Sequence, residues 1–123
     1  LSRRQRQMCI REVNNVTNYI NSKIYSKHSL NEVADKFGIT PQHLCRLFKK
    51  HFNMTFTQFS NRQRVDKIRD ELENIDRPIY QTYEEFDFTP QYLNSMFKKY
   101  TGYSISEYKA KFNYKAGNPL YTI

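Results

Sequence analysis

With 123 residues, a net charge of +8 and a pI near 9.5, the chain has the length of one domain and a charge suited to a polyanionic partner. No stretch is apolar enough to span a membrane, and none reads as a secretory leader. Its two cysteines, Cys9 and Cys45, have neither metal-ligand spacing nor a disulfide framework, so the expected setting is the reducing cytoplasm, with no metal and no cofactor.

Tyr and Phe are abundant, and the period-two alternation of strands is nearly absent, which predicts an all-α fold. Leu1 to Gln7 reads as a basic linker or frayed helix start. From about Met8 to Tyr25, Ile10, Val13, Val16, Ile20 and Ile24 keep helical spacing, and this first helix should pack across the unit that follows. Ser29 and Glu32 form the capping box of a short second helix, with Leu30, Val33, Ala34 and Phe37 inward. Gly38 supplies the left-handed residue of a tight turn. Thr40 caps a third helix and Pro41 opens it. Leu44, Leu47, Phe48 and His51 share one face of that helix. The opposite face holds Gln42, Cys45, Arg46, Lys49 and Asn53, with His43 and Lys50 on its flanks and no acid. Helix, short turn, helix with a basic outer face is a helix-turn-helix unit, here residues 8–54. Amide and arginine groups near the start, with lysines further on, suit a helix in a DNA major groove, where the first meet base edges and the second meet phosphate. An ordinary solvated basic face is the alternative.

Thr55 or Thr57 can cap the next helix, and Phe56, Phe59, Val65, Ile68, Leu72 and Ile75 trace one stripe along residues 55–75. This is predicted to be the longest helix, placed to join two halves of the chain. Its first half carries Arg62, Arg64, Lys67 and Arg69 and its second Asp70, Glu71 and Glu73, the reverse of the macrodipole preference. Either phosphate lies beside its start, or the charges pair on the surface. Asp76 to Pro78 starts a fifth helix lined by Ile79, Tyr83 and Phe86. Pro90 to Tyr100 is a sixth, buried through Leu93, Met96, Phe97 and Tyr100 and stopped by Thr101-Gly102. Ser104 caps a seventh through about Phe112, with Ile105 and Tyr108 inward; residues 76–112 make a second unit, and 113–123 read as a loose tail.

The sixth helix repeats the third. Thr89 to Lys99 matches Thr40 to Lys50 at an offset of 49, with seven of eleven positions identical. The likeness continues from Thr55-Phe-Thr-Gln-Phe59 to Ser104-Ile-Ser-Glu-Tyr108. Two copies are too few for a solenoid and suit a duplicated reading unit. Charge divides unevenly between the copies: residues 1–28 carry six Lys/Arg against one acid, and residues 76–101 three against four.

These residues resemble the DNA-binding domain of the AraC/XylS family of bacterial transcription regulators. The matches are Ser29 to Ala34, Phe37 to Pro41, Leu44 to Lys50, Phe59 with Arg64, and Phe97 to Gly102 leading to Ser104 and Tyr108. The resemblance spans about residues 8–112. It implies seven helices, two helix-turn-helix subdomains joined by the long central helix, and two recognition helices in successive major grooves of double-stranded promoter DNA. It places base reading on Gln42, Cys45 and Arg46, with His43 beside them, and on Gln91, Asn94 and Ser95. Thr40, Lys49, Lys50, Arg62, Arg64, Thr89, Lys98 and Lys99 are assigned to phosphate.

Arg46 has the best chemistry for a base, since its fork fits guanine O6 and N7; a phosphate contact or a solvated side chain is the alternative. Gln42 and Gln91 could pair with adenine or solvate a helix start, and Cys45 could meet a thymine methyl. The chain departs from the family pattern at Tyr83, where a small residue is usual, at Asp87, where Gly is usual, and at Ser95, where a longer polar or basic side chain is common. The resemblance further implies transcription regulation, with activation as the expected direction, RNA polymerase as a second partner and an attached N-terminal effector or dimerisation domain. Two other readings compete. One is a protein-interaction module that has kept the fold; the other is the DNA-binding segment of a repair enzyme. No catalytic dyad, phosphate loop or metal site is visible, so no enzyme is expected.

Overall fold

The computed structural model describes the backbone of residues 3–74 and 76–115 and the side chains of 10–74 and 76–112. Among the described residues there are seven α-helices and no strand: α1 (Arg3–Ser22), α2 (Leu30–Lys36), α3 (Pro41–Phe52), α4 (Phe56–Leu72), α5 (Ile79–Glu85), α6 (Pro90–Thr101) and α7 (Ile105–Lys115). No helix is long and apolar enough to cross a membrane. The chain divides into two compact units, residues 1–63 and 64–123, with the division inside α4.

In the first unit, Val16 and Ile20 of α1, Val33 and Ala34 of α2, Leu44 and Phe48 of α3, and Phe56 and Phe59 of α4 form one core. The turn between α2 and α3 is built from local signals. The Ser29–Glu32 capping box opens α2. At its end Gly38 takes φ +65, while its amide donates to the Asp35 carbonyl and that of Ile39 to Ala34. A Cβ at Gly38 would meet nothing within 4 Å, so it is the backbone angle that requires glycine there. Asn53 closes α3 in the same left-handed region, at φ 54, a conformation asparagine tolerates.

The start of α1 differs from expectation. Helix begins at Arg3 rather than near Met8, so of the two readings of residues 1–7, basic linker or helix start, the backbone from Arg3 on follows the second, in keeping with a run of Arg and Gln, both good helix formers. At 20 residues α1, not the 17-residue α4, is the longest helix. Ile10 is 51% exposed because the core begins one turn further on, at Val13. Ile75 and residues 116–123, where most of the expected tail falls, lie outside the described residues.

In the second unit Val65, Ile68 and Leu72 of α4 are buried, as are Thr82, Phe86, Leu93, Met96, Phe97 and Ile105. Tyr100, expected inside, is 38% exposed, because its position falls near the edge of the face that Leu93, Met96 and Phe97 bury. Helix α5 starts without a side-chain cap at Pro78 and is anchored by charge instead: Arg77 pairs with Glu71 at 3.7 Å and with Glu85. The C-terminus of α4 is held by Lys109 of α7, whose Nζ donates to the carbonyls of Leu72 (3.1 Å) and Asn74 (2.5 Å). A cation is favoured there by the macrodipole. Burial pushes the Lys109 ammonium below the usual lysine pKa, with Asp76 opposing. The turn before α6 contains no residue of positive φ, so Asp87 stands where this geometry has no need of glycine.

Candidate nucleic-acid interface

Helix α3 turns a single polar arc to solvent. Thr40 accepts from the His43 amide at 3.1 Å and Pro41 occupies the first turn, so the helix start is fixed by its own sequence. Burial of Leu44, Leu47 and Phe48 then sets its rotation. Gln42, Cys45, Arg46, Lys49 and Lys50 are left exposed, with no acid on the helix. The free thiol of Cys45 lies within this arc. Arg62 is also exposed, on the first-unit part of α4.

His43 is held differently. It is half-buried, and its Nε2 lies 3.0 Å from Oε2 of Glu12 on α1, a distance that fits the imidazole donating to the carboxylate. An acid therefore reaches one edge of the arc from another element. Glu12 is the single acid of residues 1–28, and nothing in the sequence pairs it with a residue 31 positions away.

Helix α6 is built on the same plan. Thr89 accepts from the Tyr92 amide at 3.2 Å, Pro90 follows, and Gly102 ends the helix at φ 83. Leu93, Met96 and Phe97 are buried; Gln91, Ser95, Lys98 and Lys99 are exposed. Asn94 leaves the arc. Its Nδ2 donates to the Tyr83 hydroxyl at 3.0 Å, and its Oδ1 accepts from the amide of Ile105, also at 3.0 Å. Tyr92, which sequence reasoning did not single out, takes a place on the exposed surface, 43% accessible. Its ring stacks on Phe88 at 5.1 Å and 14°. The repeat carried the signal for it, because Tyr92 stands where the other copy has His43.

Arg64, expected on phosphate, is only 4% exposed. Its guanidinium carbon sits 4.8 Å from the centre of the Phe88 ring. Burial lowers its pKa, opposed by Tyr92. Its place on the helix explains this: Ser60, Arg64 and Ile68, four apart, are all buried. Lys67 and Arg69 are exposed, and Arg69 has its pKa raised chiefly by a hydrogen bond with Tyr108. Of the second unit's acids, Glu84, Glu85 and Asp87 are exposed, and Glu85 is paired with Arg77. Among the described residues, no group of three or more His, Cys, Asp or Glu could hold a metal ion.

A family model described as a helix-turn-helix domain matches residues 33–111. The chain is similar to the C-terminal domain of AraT, a response regulator from Geobacillus stearothermophilus: 25% identity over 80% of this chain and 84% of that one, with a TM-score of 0.74. Two further structures share the fold. One is the C-terminal domain of the two-component response regulator yesN from Fusobacterium nucleatum, at 24% identity, TM-score 0.70, and 80% and 98% coverage. The other is a transcriptional regulator with an AraC-type DNA-binding domain from Chromobacterium violaceum, at 17% identity, TM-score 0.69, and 79% and 88% coverage. A search of curated protein sequences gave no match.

Proposed function

Because the chain belongs to the AraC-type helix-turn-helix family of DNA-binding transcription regulators, we propose that it reads a specific duplex with both α3 and α6, in successive major-groove segments of one operator. The observation that carries this reading is the arc of α3, which has no acid of its own and where Gln42, Cys45, Arg46, Lys49 and Lys50 are exposed together on a helix capped and rotated by its own sequence. Gln42 and Arg46 lie near the helix start, where side chains meet base edges, and the lysines near its end meet phosphate.

The sequence repeat supports the same role for α6, where Gln91, Ser95 and the added Tyr92 are candidates for bases and Lys98 and Lys99 for phosphate. Arg62, exposed, stays in the phosphate set and Arg64, being buried, leaves it. The N-cap threonines Thr40 and Thr89 keep their proposed phosphate role as exposed residues at helix starts. Residues 8–54 and 76–112 are the proposed reading units, with 55–75 between them.

The regulatory outcome we propose is activation, through contact with RNA polymerase at the promoter. The response-regulator likeness supports a further effector or dimerisation domain on the N-terminal side. Selection of duplexes from a random pool by the purified chain, followed by mobility shifts with unlabelled competitor, tests the DNA reading. Enrichment of one sequence that outcompetes bulk DNA is the expected result. Failure to enrich any sequence would favour the protein-interaction reading.

A further inference from the structure

The two copies of the repeat differ by a coupled pair of residues. Where the first unit has Ala34 and Cys45, the second has Tyr83 and Asn94, both at the offset of 49. Ala34 is buried on α2 and Cys45 is exposed on α3, each without a polar role toward the other's helix. In the second unit a phenol has replaced the methyl, and an amide has replaced the thiol. The amide then bonds the phenol at 3.0 Å. Its other end accepts from the amide of Ile105, the first residue of α7, at 3.0 Å. That amide is one of the donors a helix leaves without an intrahelical partner at its start. One side chain on α6 thus ties together α5, α6 and α7, using a donor and the acceptor of its amide. A primary amide does this with a strong donor and a strong acceptor, whereas a thiol is weak in both roles.

We infer that Asn94 is a positioning residue of the second reading helix, clasping α6 to Tyr83 of α5 and to the start of α7, so that base reading in that unit falls to its neighbours on the exposed arc. This rests on the proposal that α6 reads DNA. An Asn on a recognition helix is the residue type that pairs bidentately with adenine, but an amide committed to two partners inside the protein is not free to do so. Loss of the clasp releases the aim of the whole helix. It therefore degrades recognition at every base pair α6 meets, whereas loss of a direct reader relaxes one.

The test uses the duplex that the intact chain selects from a random pool. Wild type, Asn94→Ala, Tyr83→Phe and the double variant are each titrated against that duplex and against all its single-base variants. Tyr83→Phe removes one hydroxyl from a helix that carries no proposed DNA contact, so it keeps the test decisive if Asn94→Ala fails to fold. The expected result is an affinity loss of about tenfold for Asn94→Ala, the scale of one or two lost hydrogen bonds. Discrimination should flatten across several adjacent base pairs, Tyr83→Phe should give a smaller loss with the same flattened profile, and the double variant should be no weaker than Asn94→Ala. A loss confined to one base pair in Asn94→Ala would make Asn94 a direct reader and overturn the inference. So would a Tyr83→Phe protein indistinguishable from wild type, or strict additivity in the double variant. Failure of the intact chain to select any duplex would instead sink the reading on which the inference rests.

Discussion

Arg46 and Arg64 are both arginines that a sequence reading can assign to DNA, and burial separates them. Arg46 lies on the face of α3 opposite Leu44 and Phe48 and is exposed; Arg64 lies on the stripe with Ser60 and Ile68 and is not. The spacing that buries Arg64 is visible in the sequence, but its charge points the other way, and an arginine can be buried when its guanidinium finds an aromatic face such as Phe88. Asn94 and His43 were harder to place, because their partners lie 11 and 31 residues away and no local rule connects them. The inward residues were easier. Leu44 and Leu93, equivalent in the two repeats, are both fully buried. Leu44→Ala and Leu93→Ala are each expected to cost about 2–4 kcal/mol of stability through the cavity left behind. Thermal or denaturant melts of the two variants check this, and unchanged melts would contradict the helical register of α3 and α6.

At the scale of elements, the best-anticipated features are those fixed within a few residues. The capping box of α2, the Thr-Pro starts of α3 and α6, the left-handed Gly38 and the stop at Gly102 all follow from local backbone chemistry. The start of α1 is open between linker and helix, because a run of Arg and Gln carries no apolar period to follow even though it propagates a helix well. Helix α5 has no side-chain cap, and what anchors it is the pairing of Arg77 with Glu71 and Glu85, a tertiary event without a sequence signature. The shared start of α3 and α6 makes a matched pair of expectations. Thr40→Ala and Thr89→Ala should each cost about 1 kcal/mol, the usual worth of an N-cap side chain. Chemical denaturation of the two variants measures this. No loss in either would mean that the Thr hydroxyls do not anchor α3 and α6.

For the molecule as a whole, the net charge is +8. Lys49, Lys50, Arg62, Lys98 and Lys99 are all exposed, and α3 and α6 carry no acid. If these five cations each neutralise one phosphate, the logarithm of affinity should fall against the logarithm of salt with a slope of about −4.5. A titration from low to physiological salt reads this directly, and an affinity flat over that range would argue against duplex DNA as the main partner. The two units need not contribute equally. The arc of α3 offers an arginine fork and a glutamine, whereas that of α6 offers Gln91, Ser95 and Tyr92, all neutral, in a unit that also exposes Glu84 and Asp87.

The most direct test of sequence-specific reading led by α3 is the binding of Arg46→Ala and Gln91→Ala to every single-base variant of the selected duplex. Arg46→Ala is expected to lose about 1–3 kcal/mol and to relax the preference at one base pair, the mark of a lost guanine fork. Gln91→Ala should lose less. An Arg46→Ala loss uniform over all variants would reduce Arg46 to a phosphate contact, and an equal or larger loss for Gln91→Ala would place the leading reader on α6.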